Sequence, residues 1–261
     1  DWKNGWRMNA FGDYFHKTDR SRGNIHEWES DGAETSMDYY RKADWDLFAA
    51  KLNLSYETEK AGTFSFGYDF SHTTGTDYIE YVRALSNGST SNTEMKNSLY
   101  LLYDYTWNNL SLGAGLRYEH IRSDLKENSS NKNQNQTYHN FLPSVSLSYN
   151  TESLQQSLTY SVHTERPPFG VMNDNAVYTD RFTYQKGNLY LKQALTHDLN
   201  YMLFYKFLFF NLNYTHTQNP LITAFYSMPR NSAVTVSYMD NFDSMHNLTG
   251  MVNVQYPVKW W

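Results

Sequence analysis

Apolar and polar residues alternate along this chain in short runs that each end in a tyrosine. The pattern occurs as Leu52-Asn53-Leu54-Ser55-Tyr56, Phe64-Ser65-Phe66-Gly67-Tyr68 and Leu112-Gly113-Ala114-Gly115-Leu116-Arg117-Tyr118. It returns as Val145-Ser146-Leu147-Ser148-Tyr149, Phe210-Asn211-Leu212-Asn213-Tyr214 and Val252-Asn253-Val254-Gln255-Tyr256. A period of two specifies a strand with one apolar and one polar face. The closing tyrosine says that the apolar face stops at a boundary that wants an amphipathic ring, and a bilayer has such a boundary on each side. Strands with lipid on one face, water on the other and aromatic girdles at the ends specify an outer-membrane β-barrel.

Composition agrees with that reading. The chain of 261 residues holds 23 Tyr and 15 Phe, yet its mean hydropathy is -0.72. No apolar run approaches the ~18 residues that a helical span needs; the densest, Phe207-Leu208-Phe209-Phe210, is far shorter. A barrel tolerates a polar average because every second strand residue faces the lumen. The absence of cysteine excludes disulfides and thiolate metal sites. A net charge of -5 gives no basic footprint for nucleic acid.

About ten strands are expected, over 6–16, 38–56, 63–80, 94–107, 110–124, 137–149, 156–165, 193–205, 208–226 and 234–256. Short connections follow Tyr56, Trp107, Tyr149 and Tyr205; longer ones cover 17–37, 81–93, 125–136, 166–192 and 227–233. Short turns belong on the periplasmic side and long loops outside. Tyr56, Tyr105, Trp107, Tyr149, Tyr205 and Tyr256 are then the periplasmic girdle, and Tyr68, Phe70 and Tyr118 the outer one. The opposite faces carry Ser65, Asp69, Arg117, Glu119, Asn211 and Asn213, which suit a wet or plugged lumen better than a dry sandwich interior. Asn4-Gly5 signals a hairpin turn, and Pro257 to Trp261 read as a turn opening a further strand. We therefore expect one partial barrel domain over 1–261, without signal peptide or plug, whose open edges need further strands.

Three segments resemble the outer-membrane β-barrel family of TonB-dependent receptor-like proteins of Bacteroidetes. They are Tyr138-His139-Asn140-Phe141-Leu142-Pro143-Ser144; Tyr160-Ser161 with Arg166-Pro167-Pro168-Phe169 and Met172-Asn173; and Tyr178-Thr179-Asp180, Tyr184 and Gly187-Asn188-Leu189-Tyr190-Leu191-Lys192. Leu189 and Gln193 stand where relatives carry prolines. The resemblance implies a plugged barrel of about 22 strands in the outer membrane of a Gram-negative bacterium. It also implies import of a nutrient such as a metal chelate or oligosaccharide. The implied partners are outer-membrane lipid, the plug and remaining strands, a TonB-type energy-coupling protein and a surface lipoprotein.

Arg166-Pro167-Pro168 suits a chain reversal at the rim, since two prolines stop ladder pairing. The long loop over 166–192 mixes aromatic and polar groups, and Tyr178, Asp180, Arg181 and Tyr184 are its ligand candidates. The histidines lack the converging spacing of a metal site, so no metal is assigned, and no cofactor either. No catalytic residue is assigned, since Asp69 and His72 come with no Gly-x-Ser-x-Gly nucleophile motif. Two other architectures remain open at this point. One is a small complete barrel acting as a passive pore, adhesin or rim enzyme; the other is a soluble glycan-binding β-sandwich.

Overall fold

A computed structural model describes residues 5–28, 32, 34–82, 87–128, 131–173, 176–180, 182–228 and 231–256, with backbone alone at 35, 178, 179, 231 and 232. Its strands are β1 (Trp6–Trp28), β2 (Glu34–Thr58), β3 (Gly62–Val82), β4 (Gly88–Trp107), β5 (Leu110–Glu127), β6 (Lys132–Asn150) and β7 (Leu154–Glu165). A 3-10 turn (Phe169–Val171) precedes β8 (Ala176–Asp180) and β9 (Thr183–Lys186). Then come β10 (Ala194–Tyr205), β11 (Leu208–Gln218), β12 (Leu221–Met228), β13 (Asn231–Asn241) and β14 (Ser244–Val254). No helix among the described residues is long and apolar enough to cross a membrane.

Ten strands form one up-and-down antiparallel sheet in the order β1-β2-β3-β4-β5-β6-β7-β10-β11-β14. The two-residue connections after Trp107 and Tyr205 place Asn108 and Lys206 at φ of 52° and 53°, the positive φ that tight hairpins require. Register carries the period of two across the sheet: Leu112 faces Tyr105 and Leu147, and Leu116 faces Leu101 and Pro143. One side of the sheet is therefore a continuous apolar band, and Leu99, Leu101, Leu116, Val145, Leu248 and Val252 on it are exposed. A single curved layer with a bare apolar outside is a wall made for lipid, and it is incompatible with a sandwich, which would cover that face. The sheet is open, because β1 and β14 each have one neighbour. The carbonyl of Gly5 accepts from the Glu57 amide at 2.9 Å, so pairing persists to the first described residue. Asn4 and the turn expected over Pro257–Trp261 lie outside the described residues.

The outer halves of the strands differ from the expectation. Residues 17–37, 81–93 and 125–136 are mostly ladder, since β1 runs on to Trp28, β2 starts at Glu34 and β5 reaches Glu127. These hairpin extensions are mostly polar and carry only short apolar stretches such as Met37/Tyr39 and Ile79/Tyr81, so the apolar alternation that marks the wall fades there. Backbone pairing holds them, with side-chain bonds such as Thr18 Oγ1 to Asp44 at 2.7 Å. The spans 208–226 and 234–256 each divide. Asn219 at φ 51° and the donorless Pro220 end β11, and Phe242-Asp243 separates β13 from β14. The released strands β12 and β13 join β9 and β8 in a four-stranded sheet on the outer side, with β13 parallel to β9.

Buried apolar residues sit at this outer end. Leu125, Met172, Leu189 and Leu191 form one cluster, flanked by Phe169, Val171, Leu221 and Met239. Met37, Ile79 and Tyr81 form a second between the β1–β2 and β3 extensions. Between the girdles there is no such core, as expected where bilayer and lumen take its place.

Candidate functional site

Segment 166–193 leaves the wall after β7 and folds back against its lumen face. Arg166, the first residue beyond the strand, pairs with the buried, lumen-facing Glu94 of β4. The two prolines that follow fix the backbone, and Pro168 opens the 3-10 turn, its carbonyl accepting from the Val171 amide at 3.1 Å. Phe169 then stacks on Trp45 of β2, ring centroids 5.4 Å apart. The returning end is held by β6: Gln136 Nε2 donates to the Leu191 carbonyl at 2.9 Å, and Asn140 and Gln193 exchange side-chain bonds. Asn188 and Lys192 bond to the β13 end through the Met239 carbonyl and Asn241 Oδ1. The segment is thus a strap along the lumen face at the outer end of the wall, tied to it by polar bonds and by its own apolar cluster.

The ligand candidates fall on the β8–β9 hairpin of this strap. Register puts Tyr178 opposite Tyr184, and Tyr184 beside Val236 of β13. Asp180 Oδ1 accepts from the Phe182 amide at 2.7 Å, so the carboxylate shapes the turn. Arg181 lies outside the described residues. Tyr184 is half-buried and Asp180 partly open at the outer surface.

Below the strap is an open concavity of about 590 Å³, lined by both apolar groups (Phe11, Leu102, Leu142) and polar ones (Lys51, Asn53, Arg117), and beside it alternate residues of β2 to β5 form a charged network. Arg117 lies between two acids, with Nη1 2.7 Å from Asp69 and Nε 2.7 Å from Glu119. Lys51 approaches Asp69 at 3.9 Å and Lys96 approaches Glu119 at 3.8 Å. The Tyr100 ring underlies both Lys51 and Arg117, at 5.5 and 5.7 Å. That ring lies on Gly67, where a Cβ would come within 2.1 Å of it and push the ring aside, so the glycine gives the ring its seat. Farther out, Arg41 makes a two-pronged bond to Asp77 at 3.0 and 2.5 Å, which holds the guanidinium above its usual pKa. The alternation marked Asp69, Arg117 and Glu119 as one face. It could not mark Lys51, Lys96 and Tyr100 as their companions, which only strand register supplies.

The aromatic residues take two levels on the outside of the wall. At the short-turn end, Tyr56 packs on Trp6 at 4.7 Å, Tyr105 on Tyr103 at 6.5 Å, and Tyr256 edge-on to Phe207 at 5.3 Å. Trp107, Tyr149 and Tyr205 are exposed there, and Lys206 lies 5.2 Å over the Tyr205 ring. At the other end Phe70 meets Phe48 at 6.2 Å. One device recurs at this level on every strand that ascends from a short turn. A tyrosine hydroxyl reaches diagonally to the residue two places outward from its partner on the next strand. Tyr14 bonds Asp46 at 2.5 Å, Tyr68 bonds Asn97 at 2.6 Å and Tyr118 meets His139 Nδ1 at 2.8 Å. Tyr160 meets His197 Nδ1 at 2.9 Å and Tyr214 meets His246 Nδ1 at 2.8 Å. The sequence holds a signal for this row in the repeated Tyr-x-His of Tyr14-Phe15-His16, Tyr118-Glu119-His120 and Tyr214-Thr215-His216.

No curated protein matches the chain in sequence. Solved structures share its fold. The ferric citrate transporter FecA in unliganded form superposes with a TM-score of 0.52 at 11% identity, over 95% of this chain and 38% of that one. FpvA of P. aeruginosa, bound to a pyoverdine–iron complex, gives 0.57 at 10% identity over 98% of this chain and 37% of that one. The Serratia marcescens hemophore receptor HasR, in complex with its hemophore and heme, gives 0.50 at 10% identity over 98% and 50%. The chain thus spans half or less of the length of these receptors. Residues 3–261 match the outer membrane protein beta-barrel family, and the chain belongs to that family of outer-membrane proteins.

Proposed function

We propose that this chain is the wall and outer mouth of a receptor that imports a nutrient too large for a porin, a metal chelate or an oligosaccharide. The observation that carries the reading is the strap. Segment 166–193 folds inward and is tied to the lumen face of the wall at its outer end through Glu94, Trp45 and Asn140, so it occupies part of the path to the lumen. A long segment built inward at the outer end of the lumen wall suits a protein that captures its cargo first and moves it later. The solved receptors of like fold support the reading, since their names include a ferric citrate transporter and a hemophore receptor. In this proposal 1–261 is one part of a plugged barrel of about 22 strands. Its import is driven by a TonB-type partner, it has a surface lipoprotein as companion, and it does no chemistry on its cargo.

Tyr178, Asp180, Arg181 and Tyr184 are the proposed cargo contacts. The test is equilibrium binding of the intact receptor in detergent to a panel of ferric chelates and oligosaccharides. We expect one class to bind, and Tyr184→Ala to weaken it about tenfold or more, a loss of about 1.4 kcal/mol. Binding by neither class, together with free diffusion of small solutes through reconstituted protein, would overturn the receptor reading in favour of a passive pore.

A further inference from the structure

The two ends of the wall differ in one residue type. At the short-turn end the outward girdle is Tyr, Trp and Phe with no histidine. At the outer end, outward imidazoles face one another across strands: His120 and His139 at 4.9 Å, and His216 and His246 at 4.3 Å between ring centroids. A girdle that served only to seat rings at a water–lipid boundary would have the same composition at both boundaries. The histidines therefore answer something present on one side only. They face away from the lumen, so cargo does not explain them. Among the described residues, no three His, Asp or Glu groups converge as a metal site.

We propose that this outer band, centred on Tyr118, His120, His139 and Arg122, binds the phosphate groups of lipid headgroups in the outer leaflet. Its position fits, because Leu112 and Leu116 lie on the same face of β5 just below, and the band begins where that apolar run stops. Its donors fit as well. The Tyr118 hydroxyl and His139 Nδ1 are 2.8 Å apart and share one hydrogen bond, and the exposed His139 ring keeps Nε2 for a further partner. Arg122, two residues outward from His120, is exposed and adds a guanidinium suited to phosphate; its Nε engages Asp124 at 3.1 Å. Outward imidazoles held by a phenol and by each other, with an arginine above them, offer a tetrahedral oxyanion at headgroup depth a cluster of hydrogen-bonding groups and one fixed charge.

The test uses the intact protein in nanodiscs of phosphatidylcholine doped with a bis-phosphorylated glycolipid or with its dephosphorylated form. Retained lipid is counted by native mass spectrometry. We expect the phosphorylated form to be enriched, and His120→Phe/His139→Phe/Arg122→Gln to reduce that enrichment about fivefold or more. Retention of the dephosphorylated form should not change. Folding is followed by heat-dependent gel mobility. Should the triple variant not fold, the single exposed Arg122→Gln carries the test, with about a threefold loss expected. Equal retention of phosphorylated lipid by a folded variant overturns the proposal. So does full competition by inorganic phosphate at matched concentration, which would make this a site for the free ion.

Discussion

At the scale of single residues, Arg117 has the most consequence, because one guanidinium neutralises two acids on a wall without an apolar core. Glu119 is buried, and its neighbours Lys96 and Ser98 stand at 3.8 and 3.4 Å, farther than Arg117 at 2.7 Å. Arg117→Met should therefore cost about 2 kcal/mol, mostly as desolvated charge left on Glu119 and Asp69. The measurement is the urea midpoint of the folded protein in lipid. Adding Glu119→Gln should recover part of that loss, and strictly additive costs would show that the two groups do not act as a pair. The face that holds them was legible from alternation alone, since Asp69, Arg117 and Glu119 all fall on the polar parity of their strands. Their pairing was not legible. Asp69 and Arg117 are 48 positions apart and meet through the register of β3 on β4 and β4 on β5. The Tyr-x-His repeats are local, by contrast. Their meaning becomes visible only when the following strand brings His139 or His246 to the phenol.

At the scale of elements, the strap and the long hairpins depart most from what periodicity foretells. Segment 166–193 reads as a loop because its apolar residues come as brief, widely separated groups, Phe169 to Met172 and Leu189/Leu191, with no sustained alternation between them. They are spaced to fill a cluster with Leu125, not to line a face. The extensions of β1 to β5 fail to register for a different reason: polar residues dominate them, and their alternating apolar residues, such as Met37/Tyr39 and Ile79/Tyr81, are too few to mark a face. The strap's anchoring gives a prediction. Leu191 is fully buried at the cluster's centre, and Leu191→Ala removes packing normally worth about 2–5 kcal/mol. The strap is joined to the wall by few ties, so the cost should appear as local release and not as loss of the barrel. Trypsin should then cut at Lys186 or Lys192 in the variant and not in the parent, with the urea midpoint of the barrel unchanged. A lowered midpoint without new cleavage would show that strap and wall unfold as one unit.

At the scale of the whole molecule, the assignment of solvents to the two faces is the claim on which the rest depends. Leu101 and Leu102 are adjacent on β4 and comparably open, at 55% and 38%. By the wall's geometry they meet different media. Leu101 sits in the outward row between Phe66 and Leu116, about halfway between the girdles, and Leu102 lines the lumen cavity. Burial in the folded chain cannot tell them apart, and neither can hydropathy, since both are leucine. An arginine at position 101 must be placed in hydrocarbon, at a cost of about 2–4 kcal/mol near the bilayer middle. The same change at 102 puts the guanidinium into the open lumen concavity, where water reaches it, and should cost clearly less than at 101. Reversible urea unfolding in bilayers of Leu101→Arg and Leu102→Arg separates these values. In detergent-free water the difference would have no physical basis, so the contrast reports on lipid and not on intrinsic strand propensity. Equal costs at the two positions would mean that both faces meet the same medium, and the inside–outside assignment of every strand in the sheet would have to be abandoned.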